Sequence, residues 1–275
     1  MSEPQQDREK ALTASGEELT GLIHHPSADV LLALLDNPEL DETKLAQMLE
    51  RKNLPGEVLE EVGRRKPLLK SYRVKKALAL HPRTPRLVGL RLLKELYLMD
   101  LVQFALSPGV SAELKRTAEE QVLARLPQLP LGQKITLARR GPARVAGALL
   151  VEGHEQVIKV VLENGRLTEA QILKTLSRDR LPSAVIPAIV QHAKWSHCYN
   201  VRLALVRNPM SPLATVLAYL PELTVSDLRE LASPGIVSEN LRTYLLAEVQ
   251  RRMRVRESNA MVGNVRDKPG GVQSE

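Results

Sequence analysis

The chemically richest stretch of the chain is QHAKWSHCYN, residues 191–200, which gathers His192, Trp195, His197, Cys198 and Tyr199. A cysteine near a histidine has the composition of a nucleophile and its base, and two histidines with a thiolate have that of a metal site. The spacing argues against both. His192 and His197 stand five apart, whereas side chains share a helix face at three or four. No carboxylate lies in the stretch to orient an imidazole. His24 and His25 are adjacent and read as a turn. Cys198 is the only cysteine, so neither an intramolecular disulfide nor an all-cysteine zinc or iron–sulfur site can form. No glycine run resembles a phosphate-binding loop, since LSPGV and ASPGI read as turns. The sequence therefore predicts no catalytic residue, no cofactor and no metal, and the chain is expected not to be an enzyme.

Binding residues are better represented. Arg64, Arg65 and Lys66 precede Lys70, Arg73, Lys75 and Lys76; Lys134, Arg139, Arg140 and Arg144 form a second basic cluster; Arg251, Arg252, Arg254 and Arg256 form a third. With a net charge of +7, such clusters are candidate phosphate contacts if the fold aligns them along one surface. Aromatic platforms for unstacked bases are nearly absent, at 3% of residues, which disfavours single-strand binding. Trp195, the single tryptophan, is either a packing residue or a partner contact, and packing is the reading its counterpart Leu68 favours.

The elements that must position these residues are announced by a repeat. YRVKKALALHPRTP (72–85) returns as YNVRLALVRNPMSP (199–212), and from Leu35 to Ala105 22 of 71 residues equal their partners 127 positions later. Such self-similarity predicts a tandem duplication. Val74, Ala77 and Leu78, repeated by Val201, Ala204 and Leu205, make one apolar helix face. Pro82 or Pro209 stops that helix. Thr84 or Ser211 is placed to N-cap the next, with Pro85 or Pro212 at its first position. That next helix is expected to bury Leu87, Leu90, Leu93 and Leu96, and Asp100 or Asp227 opens a third. Tyr72 and Tyr199, at matching helix entries, are assigned to packing. The phrases DNP, LHP, LSPG, RGP, ENG, RNP and ASPG punctuate the chain as helix stops.

These units resemble the leucine-rich repeat variant and related HEAT-like repeats, whose units carry a pattern of the type V-R-x-A-L-A-x-N-P-x-T-P. The first copy keeps Val74, Ala77, Leu78, Pro82, Thr84 and Pro85, with Lys75 and His81 in place of Arg and Asn. The resemblance implies an all-α, right-handed solenoid of short stacked helices and a role in binding, without enzyme activity. One protein of that family carries an N-terminal iron–sulfur cluster, which a chain with Cys198 alone cannot ligate.

Residues 1–18 and 254–275 are polar and are expected to be disordered. The solenoid then occupies 19–253, in halves of about 22–148 and 149–253. LPLGQKITLARRGPARVAGALL is expected to lack a counterpart in the second half, and Leu241, Leu245, Val249 and Met253 are expected to form the buried face of a terminal helix. The N-terminus has no apolar signal region, and no stretch reaches the roughly eighteen uninterrupted apolar residues of a membrane helix. Together these observations predict a soluble, cytoplasmic scaffold or adaptor that binds a protein partner and no membrane. Nucleic-acid binding through the basic clusters is the alternative.

Overall fold

The computed structural model describes residues 3–266. Every regular element among them is helical. The chain divides between Pro130 and Leu131 into two units.

The first unit holds α1 (Glu3–Thr13), α2 (Gly16–Leu22), α3 (Ala28–Leu34), α4 (Glu42–Leu49), α5 (Gly56–Arg64), α6 (Tyr72–Leu80), α7 (Arg86–Leu93), α8 (Leu98–Leu106) and α9 (Ala112–Arg125). The second holds α10 (Leu131–Arg140), α11 (Ala143–Glu152), α12 (Glu155–Leu162), α13 (Glu169–Leu176), α14 (Val185–Gln191), α15 (Tyr199–Arg207), α16 (Leu213–Tyr219), α17 (Val225–Leu231) and α18 (Glu239–Arg266). Helices this short are marginal alone and are stabilised by covering one another's apolar faces. In the first unit α1 packs on α3 and α3 on α5, while α4 packs on α6. In the second, α10, α12 and α14 form one such row and α11, α13 and α15 another. This packing is compatible with a helical repeat solenoid.

The rows are tied by a recurring buried polar side chain placed just past a helix end. Asn37, after α3, donates from Nδ2 to the carbonyls of Ala11 (2.8 Å) and Ala14 (2.9 Å) at the end of α1, and its Oδ1 accepts from Glu39 N. Asn164, after α12, does the same to Ala138 (2.8 Å) and Gly141 (3.1 Å) at the end of α10, accepting from Arg166 N. Asn208, after α15, binds the carbonyls of Leu176 and Arg178 at the end of α13 and accepts from Met210 N. His81, after α6, replaces the amide with an imidazole: Nδ1 accepts from Arg83 N, so Nε2 carries the proton and donates to Arg51 O at 2.7 Å. The last carbonyls of a helix have no partner within it, and these side chains supply one. The sequence read the DNP, ENG, RNP and LHP phrases as stops; the structure makes them cross-links.

Other bonds also recur 127 positions apart. Tyr72 Oη donates to Asp100 and accepts from Tyr97 N, as Tyr199 Oη does with Asp227 and Thr224 N. Lys75 pairs with Glu95 and Arg202 with Glu222. The guanidinium of Arg125 reaches the Leu96 carbonyl, and that of Arg252 the matching carbonyl of Leu223; their second bonds go to Lys94 O and Leu220 O, one position out of register.

Several expectations need correction. Residues 3–13 are helical, with Ala11 fully buried and Ala14 nearly so, because α1 supplies the carbonyls that Asn37 binds. The stretch 129–150 opens the second compact unit, which begins at Leu131, and Asn164 binds the end of α10 as Asn37 binds that of α1. The helix expected to end near Met253 continues to Arg266, since no proline interrupts it, whereas Pro127 follows α9. The rest of the expected tail lies outside the described residues. Leu241, Leu245 and Val249 are buried but Met253 is exposed. Leu87 is 76% exposed, because α7 turns Val88, Leu92 and Leu93 inward. Thr84 caps backwards, donating to Leu78 O, and Pro85 and Pro212 sit one place before their helices.

Asn164→Asp keeps the shape and removes the donor. Leaving two buried carbonyls unpaired should cost about 2–4 kcal/mol, a fall of roughly 5–15 °C in the unfolding midpoint by calorimetry. Burial pushes the His81 imidazole below the usual 6.5, against its bond to Arg51 O and aided by Arg83. The unfolded chain therefore takes up that proton first. Stability from the neutral ring is complete above pH 6.5 and is lost as pH falls from there towards the folded value. Melting curves between pH 7.5 and 5 should show His81→Asn losing less stability on acidification than the wild type.

Candidate functional site

The residues of the 191–200 stretch serve the fold. Trp195 is 2% exposed and its indole N–H donates to Leu162 O at 3.0 Å, so it offers no surface to a partner. In the first unit the equivalent carbonyl, Leu35 O, is bound by Arg65, which also pairs with Glu61 and Asp36. His192 occupies the position of Arg65. Its Nδ1 accepts from Lys194 N and its Nε2 lies 3.2 Å from a Glu163 carboxylate oxygen, outside hydrogen-bond geometry. His197 Nδ1 lies 2.7 Å from Ala193 O, and Cys198 Sγ lies against Lys194 O. Among the described residues no three His, Cys, Asp or Glu side chains converge as a metal ion requires.

The basic clusters are partly ion-paired. Arg64 pairs with Glu60, Arg65 as above, Lys75 with Glu95, Lys76 with Asp100 and Lys134 with Glu152. Arg251 and Arg252 both close on Glu248, whose carboxyl they pull down to about 2, Arg251 most strongly. Lys66, Lys70, Arg73, Arg139, Arg140 and Arg254 are exposed and make no ion pair among the described residues. Arg144 is engaged. The side chain of Arg256 lies outside the described residues.

The site that sequence reasoning missed is a groove in the second unit. About 910 Å³ of space lies between α13, α15, α16 and the first turn of α18, walled by Leu173, Leu176, Leu203, Val206, Leu213, Val216, Ile236, Val237 and Leu241. Arg178, Asp179, Asn200 and Arg207 stand among the polar lining residues, and Ser211 Oγ is buried beside it without a hydrogen-bond partner. Met210, in the turn before α16, and Leu213 and Leu217 on it, 44%, 50% and 39% exposed, make an apolar outer stripe.

Position by position, the first unit closes this region with charge. Arg86 and Glu113, the equivalents of Leu213 and Asn240, form a two-point salt bridge. Lys76, equivalent to Leu203, holds Asp100. Arg51, equivalent to Arg178, spends its guanidinium on the carbonyls of Ile23 and His25. Thr84, equivalent to Ser211, bonds Leu78 O. In the second unit each of these ties is gone. The signal was visible in the self-alignment as charged residues turned apolar, at Lys76/Leu203, Arg83/Met210 and Arg86/Leu213. Their convergence on one groove was not.

No protein-family model, curated protein or solved structure matches this chain. No described helix is long and apolar enough to cross a membrane.

Trp195→Phe keeps the buried ring and deletes the N–H. The bared Leu162 carbonyl should cost about 1–3 kcal/mol in denaturant unfolding, with secondary structure by circular dichroism unchanged.

Proposed function

We propose that the chain is a right-handed α-solenoid of the leucine-rich repeat variant or HEAT-like type, built by tandem duplication over about 127 residues, and that it acts as a non-enzymatic cytoplasmic scaffold. Its mechanism is equilibrium binding of a protein partner. The carrying observation is the groove: an open apolar trough flanked by exposed Met210, Leu213 and Leu217, where the equivalent positions of the first unit are closed by ion pairs. Apolar surface of this kind, rimmed by polar groups, marks an interaction site more often than idle surface. The row packing and the bonds repeated at 127 residues support the solenoid and duplication reading.

Exposed Arg139 and Arg140, free of ion pairs among the described residues, favour the second reading, phosphate-backbone binding of duplex nucleic acid. One experiment separates the two. Tagged protein is purified from its native lysate in nuclease-treated and untreated halves, and duplex binding is titrated with salt. Scaffold function predicts a stoichiometric protein partner that survives nuclease. Enrichment that vanishes with nuclease, with duplex affinity falling steeply in salt and weakened by Arg139→Glu/Arg140→Glu, transfers the function to nucleic acid.

A further inference from the structure

We infer that the groove of the second unit binds an acidic amphipathic helix presented by a protein partner. The inference rests on the scaffold reading and names the partner's chemistry.

Elimination narrows the occupant first. Among the described residues there is no strand, so no sheet edge is on offer for an added β-strand. Proline-rich segments dock between aromatic side chains, and no aromatic residue lines this groove. What remains is an apolar trough between helices, continued outside by a stripe at Met210, Leu213 and Leu217. A helix seated there would set apolar anchors at i, i+3 or i+4, and i+7 into it.

Charge supplies the second constraint. Arg178 lines the groove with a guanidinium that makes no hydrogen bond or ion pair among the described residues, although its equivalent Arg51 is consumed by backbone carbonyls. Lys174, four residues earlier on α13, is exposed and likewise unpaired. Arg207 lines the groove and shares its charge with Glu230 at 2.8 Å. Asp179 is the one carboxylate in the lining. An incoming Asp or Glu would take two parallel bonds from Arg178, the geometry guanidinium favours for carboxylate. The partnerless Ser211 Oγ adds a polar contact at the trough's wall.

The test reinstates the first unit's closure. A phage-displayed library of random 16-residue peptides is panned on the full chain after depletion on Leu213→Arg/Asn240→Glu, a pair already accommodated as Arg86 and Glu113 in this chain. The expected peptides carry apolar residues at helical spacing and at least one Asp or Glu, and gain helicity on binding. Their affinity by fluorescence polarisation should fall about tenfold or more on the double variant and about tenfold on Arg178→Gln, the loss of one charge-assisted contact. If the double variant unfolds early, Leu213→Asn, a change at a half-exposed position, takes its place. Basic peptides, peptides without helical period, or equal affinity for both proteins would overturn the inference. So would a nuclease-resistant native partner that binds the double variant as well as the wild type, which leaves the scaffold reading standing and removes only the groove.

Discussion

The architecture depends on disposing of helix C-terminal carbonyls. Each helix leaves about four without partners, and in a chain of short helices such ends come every few turns. Here the carbonyls at the ends of α1, α4, α10 and α13 are not left to solvent. A single buried side chain two helices later reaches back to them: Asn37, His81, Asn164 or Asn208, each no more than 5% exposed. The same side chain accepts from the backbone N–H two residues on, which fixes the turn that launches the following segment. One residue thus sets the spacing between helices of a row and the exit direction of the chain.

That constraint explains what the units tolerate. The donor can be an amide or an imidazole, because both place an acceptor and a donor at opposite ends of a small planar group. A carboxylate cannot serve, because it donates nothing. At the Leu35 and Leu162 carbonyls the requirement is looser. A guanidinium from Arg65 and an indole N–H from Trp195 do the same service from different positions, one at a half-exposed edge held by Asp36 and Glu61, the other from the core. The fold requires that a donor arrive, and leaves open which residue brings it.

The same distinction separates what the sequence made legible from what it did not. Helix stops at proline and the repetition of Tyr72 as Tyr199 and of Asp100 as Asp227 were readable, because these residues are themselves retained; the bond from each tyrosine hydroxyl to its aspartate was not, and the sequence assigns the tyrosines to packing. The first two helices were not. Between 4–23 and 131–150 only Gln6, Ala11 and Leu22 match their counterparts, Gln133, Ala138 and Leu149. What α1 contributes is backbone carbonyls, which any residue supplies, so its counterpart α10 shares its role without sharing its letters. Leu87 misled for a related reason. Its helix is apolar on more than one face, and periodicity does not say which face meets the core.

The groove follows from the same logic. Within the recurring framework, the ties that hold each unit's helices together are kept, while Arg86, Glu113, Lys76 and Arg51 hold charges that the framework does not need. In the second unit those positions hold Leu213, Asn240, Leu203 and an unengaged Arg178, while Asn164 and Asn208 cap carbonyls as Asn37 and His81 do in the first, so the capping is shared and the surface differs. The closed first unit shows how the same spacing fills when charge bridges it. A repeat whose stability resides in backbone capping can therefore convert an ion-paired seam into an apolar recess by a few side-chain changes. The second unit's groove has the residues of the open form: leucines without a lid, a serine without a partner and an arginine without a carboxylate.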